Sequence, residues 1–511
     1  MTAEGAEREG VAHVSVLRAG RLSEDEPTTT THRGAPGDGR PGSEPLTGAQ
    51  LAVLLTGAFM AQFDFFVVNV AAPSIRRSLS ATTGQLELIV GMYAFGYASG
   101  LVLGGRLGDR YGHRRLFVCG MLAFGFASAC CGAAREPEAL ILARLLQGAT
   151  AAAMLPQVLA VVSARTRGAR RARAMAWYGV AGGVGSLAGQ VLGGFLVSAD
   201  VDGLGWRLIF LVNLPVGALG ALAALWVLDP PCAPPGTRPT LDVAGAGVLA
   251  VSIGLVLVPL TLGRDDGWPP WTWICIGSAV PLLAATVGWE WRLERRARHP
   301  LLPVHLFATP SFRIGMLAAA AFMAFFASYM FALALLLQAG YGLDSFHAGL
   351  AFGPSGLTFL VAALLTPRLS GRIGRHAFVG GALTVAVALI VLAIVAHADA
   401  GHAWLVAVVP TAALASLGNG AVYPSLLGMA LAHVAAGDAG AASGALATAQ
   451  QFAASAGVAV MGTVFFAAAR HPVSAGAGNG MAWVAVIGAA LMALIAAIGV
   501  RLRDLQEPGR S

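Results

Sequence analysis

The fold is decided by the stretch Phe59-Met-Ala-Gln-Phe-Asp-Phe-Phe-Val-Val-Asn-Val-Ala-Ala-Pro73. It lies within an apolar run from Thr47 to Val70, which is long enough to cross a bilayer as a helix. Asp64 sits well inside that run. A carboxylate in hydrocarbon costs roughly 2.5–3.5 kcal/mol on insertion scales, so an acid at this position needs a function to justify it.

Similar apolar runs recur along the whole chain. The 511 residues are 56% hydrophobic and 12% charged, with a mean hydropathy of +0.70. Alternating patterns are missing, which argues against a membrane β-barrel. We therefore predict an all-α membrane protein with about 14 transmembrane helices. The predicted spans are Thr47–Val70, Leu86–Gly105, Arg115–Ala134, Ala139–Val162, Ala174–Ser198, Arg207–Leu228, Leu241–Leu262, Trp271–Trp289, Phe312–Leu337, Ala348–Pro367, Ala377–Ala396, Ala403–Leu427, Ala442–Ala467 and Met481–Val500.

The distribution of arginine predicts the orientation. All 33 basic residues are arginine, because the sequence contains no lysine, and the net charge is +7. Alternate loops hold most of these arginines, so those loops and both termini are predicted to be cytoplasmic. Positive charge confined to one side of a membrane does not indicate nucleic-acid binding. A Walker A loop requires lysine, so we expect no ATP-driven pumping by this chain.

A short internal repeat divides the chain into two halves. The second span is followed by Gly105-Arg-Leu-Gly-Asp-Arg-Tyr-Gly-His-Arg114. The tenth span is followed by Pro367-Arg-Leu-Ser-Gly-Arg-Ile-Gly-Arg-His376. The two segments align with each other without a gap. Two parallel six-helix halves, related by an axis along the membrane normal, are a known transporter plan. The predicted segments are a disordered cytoplasmic tail (1–46), the first half (47–228), a cytoplasmic linker (229–240), two inserted helices (241–289), a cytoplasmic basic loop (290–311), the second half (312–500) and a cytoplasmic tail (501–511).

The loop after the second span carries a recognisable pattern, Gly-x-Leu-x-Asp-Arg-x-Gly-x-Arg. Its glycines suit a tight turn, and the aspartate would lie just before the third span, where the helix dipole favours an anion. A helix cap with ordinary positive-inside charge would explain the same residues. The decapeptide resembles the signature loop of the major facilitator superfamily, and the second copy resembles that family's second half. The motif residues are Gly105, Asp109, Arg110, Gly112 and Arg114.

The fourth span contains a basic residue at depth. Arg144 lies about 7–10 Å below the membrane surface in the predicted helix, and Gln147 follows on the same face. The alternative is an arginine that extends to the interface. By the same count of residues, Asp64 lies in the same half of the bilayer as Arg144.

Two further resemblances assign roles to this pair. Arg144 with Gln147 resembles the proton-coupling motif of the superfamily's drug antiporters, and the stretch around Asp64 resembles the first-span motif of its fourteen-span drug–proton antiporters, with Phe66 at the family's threonine. The family's fold implies that the first and fourth spans are neighbours. The hypothesis is that Asp64 carries the proton and Arg144 modulates its affinity for it.

The fifth span resembles the antiporter motif that marks exporters in this family. The matching residues are Gly189, Gln190, Gly193 and Gly194, where Gln190 stands in place of the family's proline. Small residues also allow simple close packing of helices. Glu87, at the start of the second span, is either a second acid on the transport path or an interfacial glutamate, and we favour the latter.

A substrate cavity is predicted from polar and aromatic residues within the spans. Asn69 could bond between helices or to substrate, and the aromatic stripe of the ninth span could be core or a stacking wall. The candidates are Asn69, Gln147, Phe322, Phe326 and Tyr329.

These observations favour a proton-coupled exporter of amphipathic drugs or antibiotics, lipophilic or cationic, in the cytoplasmic membrane. The expected partners are the substrate, protons and lipid, and a proton gradient replaces any cofactor. The five cysteines have no metal-binding spacing, and no nucleophile–base set is evident, so no enzyme activity is expected. A metabolite or nutrient porter of the same fold and a non-transporting membrane sensor remain as alternatives.

Overall fold

The computed structural model describes residues 46–229, 243–263, 267–295, 304–373, 375–398, 405–431, 434, 439–469 and 473–506. Helices account for the regular secondary structure of this part of the chain. Fourteen long helices follow one another, and the sixth span opens with short helical turns from Gly205. Their bounds are α1 Gly48–Leu79, α2 Thr83–Tyr111, α3 His113–Ala133, α4 Pro137–Arg165, α5 Gly168–Ala199, α6 Asn213–Val227, α7 Val243–Leu262, α8 Pro270–Arg295, α9 Pro310–Leu335, α10 Ser345–Ile373, α11 Arg375–His397, α12 Leu405–Leu431, α13 Ala439–Ala469 and α14 Val473–Gln506.

The prediction of 14 membrane-spanning helices is confirmed, because 14 described helices are long and apolar enough to cross a bilayer. Several helices extend beyond the predicted spans. α1 begins at a capping box formed by Thr47 and Gln50 and continues through Pro73 to Leu79. The predicted linker and N-terminal tail lie outside the described residues, apart from their edges. α14 continues through the first six residues of the predicted C-terminal tail, to Gln506.

The surface of the bundle is apolar in the way that lipid contact requires. On α11, Leu383, Val387, Ile390 and Ile394 form an exposed stripe at helical spacing. The opposite face of the same helix is buried, with Leu389 among its residues. An exposed stripe of large aliphatic side chains is stable in hydrocarbon, so this face is lipid-facing.

Glycines bring helices into backbone contact in an equivalent way in both halves. α2 crosses α4 and α1 crosses α5 in the first half, while α10 crosses α12 and α9 crosses α13 in the second. At each crossing a glycine faces a carbonyl oxygen of the other helix so closely that a Cβ atom would collide with it. The distances from an ideal Cβ on the glycine to the carbonyl oxygen of the facing residue are 2.2 Å for Gly96 and Leu145, 2.5 Å for Gly189 and Phe63, 2.3 Å for Gly420 and Phe359, and 2.2 Å for Gly457 and Ala324.

The two halves meet along α5–α10 and α2–α13. We call the end of the bundle where α2 turns into α3 the loop end, and the opposite end, where α5 finishes and α10 begins, the distal end. At the distal end the Phe346 backbone N–H donates to Ser198 Oγ at 3.0 Å. Gln338 Nε2 donates to the Val70 carbonyl at 2.8 Å in the same region. The halves are therefore joined at the distal end.

The two inserted helices lie at the edge of this arrangement. α7 packs against both α2 and α13, and α8 packs against α7. Leu257 of α7 shares an apolar cluster with Phe95 of α2 and Phe452 of α13. α7 therefore covers one of the two seams between the halves.

Candidate functional site

Asp64 and Arg144 meet in the interior of the first half. Both side chains are 0% exposed, and Arg144 Nη1 forms an ion pair with Asp64 Oδ2. The structure thus brings together the two residues that the depth argument placed at the same level. An ion pair removed from water is stable only when further hydrogen bonds satisfy its remaining donors and acceptors.

Polar side chains from three helices supply these further bonds. Gln147 Nε2 and Asn213 Nδ2 each donate to Asp64 Oδ1 at 2.8 Å. Gln147 Oε1 accepts from Arg144 Nη1 at 2.7 Å, and Ser128 Oγ accepts from Gln147 Nε2 at 2.7 Å. Five residues from α1, α3, α4 and α6 form one network, which we call the Asp64 cluster: Asp64, Ser128, Arg144, Gln147 and Asn213.

The guanidinium of Arg144 is also held from α2. Its Nε donates to the Ile89 carbonyl at 3.2 Å, and its Cζ lies 4.5 Å from the centre of the Tyr93 ring. The Tyr93 hydroxyl donates to the Ala61 carbonyl of α1 at 3.0 Å, which fixes the ring in place. Arg144 Nη2 has no hydrogen-bond partner among the described residues, so one donor of this buried cation is available.

The α2–α4 crossing explains how Arg144 reaches these partners. An ideal Cβ on Gly148 would lie 2.0 Å from the Tyr93 carbonyl oxygen. Only glycine at this position allows the two backbones to approach so closely. Because Gly148 is one turn beyond Arg144, this contact sets the arginine against α2 and beside α1.

The motif loop differs from the sequence prediction in one respect. α2 continues through Asp109 to Tyr111, so Asp109 lies in the last turn of α2 and not before α3. The negative end of a helix dipole does not favour a carboxylate, and Asp109 is instead 3.6 Å from His113 Nε2. The turn itself is made by Gly112, whose φ of 96° suits glycine.

Gln157 of α4 anchors this turn and was not predicted. Its Nε2 donates to the Gly104 and Ala153 carbonyls, both at 2.9 Å, and its Oε1 lies 2.8 Å from His113 Nδ1. An ideal Cβ on Gly108 would lie 1.9 Å from Gln157 Oε1, so the packing requires glycine at this position. An ideal Cβ on Gly105 would make only an ordinary contact, 3.9 Å from Pro156 Cβ. Arg114 Nη2 donates to the Leu225 carbonyl, and Arg110 stacks over Tyr111.

A second polar contact ties three helices at the loop end. Arg165 of α4 pairs with Asp229 after α6, and Gln50 Nε2 of α1 donates to Asp229 Oδ2 at 3.2 Å. The hydrogen bond from Arg165 is the main reason why the pKa of Asp229 is below its ordinary value. This contact fixes the loop end of the first half.

The candidate antiporter motif lies at two interfaces at once. Gly189 and Gly193 face α1, where an ideal Cβ on Gly193 would lie 2.5 Å from Val67 Cγ2. Gly194 faces α10 at the distal end. An ideal Cβ on Gly194 would lie 2.2 Å from the Ser345 carbonyl oxygen. Gln190, in place of the family's proline, is buried and its Nε2 lies 3.6 Å from Met330 Sδ of α9.

The predicted cavity residues separate into different environments. Gln147 belongs to the Asp64 cluster, and Tyr329 is fully buried and stacks on Phe325. Phe322 is buried between the rings of Phe326 and Tyr423. The latter two rings are only half-buried. Asn69 is buried beside a small cavity between the halves, and its Oδ1 has no hydrogen-bond partner among the described residues.

Two members of the Asp64 cluster had no assigned role in the sequence. Asn213 is a single amide in the sixth span, and Ser128 is one small residue in an apolar run. Glu87 is also more buried than expected, with 1% exposure, and an ideal Cβ on Gly462 of α13 would lie 2.6 Å from its Oε1. Its carboxylate packs inside the seam between the halves and is not exposed at the start of α2.

The fold and the cluster define a class of protein. Two equivalent six-helix halves span the membrane, and a polar network with a buried ion pair lies inside one of them. The chain belongs to the Major Facilitator Superfamily, whose sequence model matches residues 54–458.

Comparison with individual proteins agrees with this assignment. A protein described as "Probable actinorhodin transporter" from Streptomyces coelicolor is 36% identical over 82% of this chain and 72% of its own length. The "Cephamycin export protein CmcT" of Amycolatopsis lactamdurans is 32% identical over 85% of this chain and 88% of its own length. The "Puromycin resistance protein pur8" of Streptomyces alboniger is 32% identical over 83% and 82%.

The fold is shared with solved transporters. A bacterial homologue of the human lysosomal transporter Spinster has a TM-score of 0.64 at 17% identity and covers 92% of this chain and 100% of its own. A peptide transporter crystallised with sulfate has a TM-score of 0.64 at 16% identity, over 90% and 96%.

Proposed function

We propose that this protein exports amphipathic drugs or antibiotics from the cell in exchange for protons. The observation that carries the proposal is the Asp64 cluster, a carboxylate that is fully buried and held by an arginine and two amide groups. Relatives described as export or resistance proteins support the direction and the class of cargo.

In this proposal Asp64 is the proton carrier. Protonation removes the charge on which the ion pair with Arg144 depends, so it weakens the contact between α1 and α4. The network would then rearrange through Gln147, Asn213 and Ser128. Because both charged groups are sealed from water in this conformation, proton exchange requires the helices to move.

Alternating access would supply that movement. Among the described residues, hydrogen bonds between the halves lie at the distal end. The arginine-rich loops favour a cytoplasmic loop end and cytoplasmic termini. On that orientation the structure corresponds to a conformation closed to the outside. No cofactor, ATP or covalent chemistry is required, and the protein acts as a transporter and not as an enzyme.

Transport into everted membrane vesicles tests this function. Vesicles with the protein, acidified inside, should accumulate exported compounds from a panel of antibiotics, and a proton uncoupler should abolish the accumulation. Vesicles without the protein serve as the control. Accumulation that is unaffected by the uncoupler, or the absence of transport for every compound in a broad panel, would contradict the proposal.

A further inference from the structure

A wall of parallel aromatic rings lies in the second half. Phe322 stacks on Phe326 with ring centres 5.8 Å apart and planes at 9°, and on Tyr423 at 5.7 Å and 21°. Phe326 in turn stacks on Phe359 at 5.7 Å and 30°. These rings come from α9, α10 and α12. Phe326, Phe359 and Tyr423 are only half-buried, so the wall offers flat apolar surface to a ligand.

Tyrosines from both halves lie in the region of this wall. Tyr423 on α12 belongs to the wall, and Tyr97 on α2 and Tyr178 on α5 lie within electrostatic range of its phenol group. All three side chains are half-buried. Each hydroxyl can donate one hydrogen bond and accept others, so together they can bind a ligand that has both donors and acceptors.

A buried amide lies near the tyrosines. Gln450 of α13 is buried near Tyr423, and its Nε2 makes no hydrogen bond of acceptable geometry to the described residues. A buried polar atom without a hydrogen bond costs about 1–3 kcal/mol. A ligand carbonyl opposite Gln450 would remove that cost.

The groups that form this site are uncharged. Its described side chains are phenylalanine, tyrosine and glutamine, and the oxygens of the Asp64 carboxylate are already bound by Arg144, Gln147 and Asn213. A cationic ligand would enter without a counter-ion, and only the ring faces could compensate for its lost hydration.

We propose that this site, which we call the ring-and-tyrosine site, binds flat, uncharged aromatic compounds with hydroxyl and carbonyl groups in preference to organic cations. The proposal rests on the export function and narrows its cargo. The flat ring system stacks on the wall, and its polar edge faces the tyrosine hydroxyls and Gln450.

Equilibrium binding to the purified full-length protein in lipid nanodiscs, without any gradient, tests the site. The probes are 5,7-dihydroxyflavone, which is flat and uncharged, and ethidium, which is flat and cationic. Isothermal titration calorimetry should show at least a tenfold lower Kd for the flavone. Ethidium binding that is equal or tighter, or no detectable flavone binding, would overturn the proposal.

Variants connect the affinity to the site. Tyr423→Phe, Gln450→Leu and Phe326→Ala should each raise the Kd of the flavone about five- to tenfold. Phe126→Ala is the matched control. It removes an exposed ring from α3, a helix that contributes no residue to the site, and should leave the Kd unchanged. Thermal unfolding of each variant checks that it is folded. Unchanged affinity in Tyr423→Phe and Phe326→Ala would place the ligand elsewhere and refute the proposal.

Two separate measurements distinguish this proposal from the export function. Equilibrium binding in nanodiscs, without a gradient, reports on the ring-and-tyrosine site alone. Vesicle transport measures export independently. Proton-coupled export without flavone binding would therefore refute the substrate class alone, and flavone binding without export would refute the export function alone.

Discussion

Arg144 makes more contacts than an anchor for one carboxylate requires. It binds Asp64, Gln147 and a backbone carbonyl of α2, and it lies over the Tyr93 ring. A planar guanidinium can satisfy all of these partners at once, whereas the compact ammonium of lysine cannot. The arginine therefore joins α1, α2 and α4 around the carboxylate.

This geometry predicts that Arg144→Lys will fail although it conserves charge. The variant should reduce proton-driven export at least about tenfold, since lysine cannot replace the guanidinium contacts with Ile89 and Tyr93. Initial rates of export in everted vesicles measure the effect. Arg207→Lys, on an arginine at the distal end of the sixth span, is the control. A rate within twofold of the wild type would show that only the charge of Arg144 is needed.

At the residue scale, the two charges and Gln147 were predictable, whereas the other neutral partners were not. Asp64 and Arg144 stand out because a charge inside an apolar span is costly and rare. Ser128 and Asn213 do not stand out, since single hydroxyl and amide groups inside membrane helices commonly bond to their own or neighbouring helices. Which of them faces a carboxylate depends on helix rotation, and the sequence does not specify it.

Glycine contacts between helix backbones set the position of the cluster at the scale of elements. The contact between Gly148 of α4 and the Tyr93 carbonyl of α2 holds these two helices together one turn from Arg144. A glycine-rich sequence predicts close packing in general. It does not say which glycines are tightly packed, as the ordinary contact at Gly105 and the tight fit at Gly108 demonstrate.

Gly148→Ala should therefore destabilise the protein and disturb the cluster. Its Cβ would force the α2 and α4 backbones apart, and overpacking of this kind typically costs about 1–3 kcal/mol. Thermal unfolding in detergent should show a lower midpoint, with reduced export. Gly179→Ala is the matched control, because an ideal Cβ on Gly179 has no neighbour within 4 Å. Equal midpoints for the two variants would contradict this interpretation of the α2–α4 crossing.

The loop-end contact between Arg165 and Asp229 predicts a pH-dependent contribution to stability. The pKa of Asp229 is lowered in the folded protein by the hydrogen bond from Arg165. The contribution of the ion pair to the free energy of unfolding is therefore complete at neutral pH. It is lost as the pH falls below the ordinary aspartate pKa of about 4. The pair is partly exposed, so the contribution should be small, about 0.2–1 kcal/mol.

Asp229→Asn tests this contribution. The midpoint of thermal unfolding should be lower than that of the wild type at pH 7, and the difference should shrink as the pH approaches 3.5. Asp202→Asn, an exposed acid between α5 and α6, is the control and should show no difference. A difference for Asp229→Asn that is the same at both pH values would rule out the ion pair as its cause.

In the whole molecule, hydrogen bonds join the two six-helix halves at the distal end. Ser198 and Phe346 lie on opposite sides of this closure, on α5 and α10, and are joined by a hydrogen bond. If the halves rock during transport, this contact must break and re-form in each cycle. Fixing it should stop transport without unfolding the protein.

A disulfide across the closure tests this requirement. In a background without native cysteines, Ser198→Cys with Phe346→Cys should lose export after oxidation and regain it after reduction. Each single cysteine variant should be insensitive to the same treatment. Full export by the oxidised double variant, with the crosslink verified by mass spectrometry, would mean that the distal end does not open.

At this scale the sequence predicted the architecture well. The number of spans followed from apolar runs of membrane length, and the two halves from the repeated arginine-rich motif. The side chains of residues 367–375 in the second copy lie outside the described part, so the role of this copy stays a prediction. The position of α7 over the α2–α13 seam could not be predicted, because lipid-facing and seam-covering helices are equally apolar.

The central claim is that Asp64 carries the exchanged proton, and one comparison tests it most directly. Proteoliposomes with Asp64→Asn should retain substrate counterflow, which needs only alternating access, and should lose accumulation driven by a pH gradient. Asp344→Asn, an exposed acid at the distal end, should retain both. Accumulation by Asp64→Asn at the wild-type rate under a pH gradient would contradict the account.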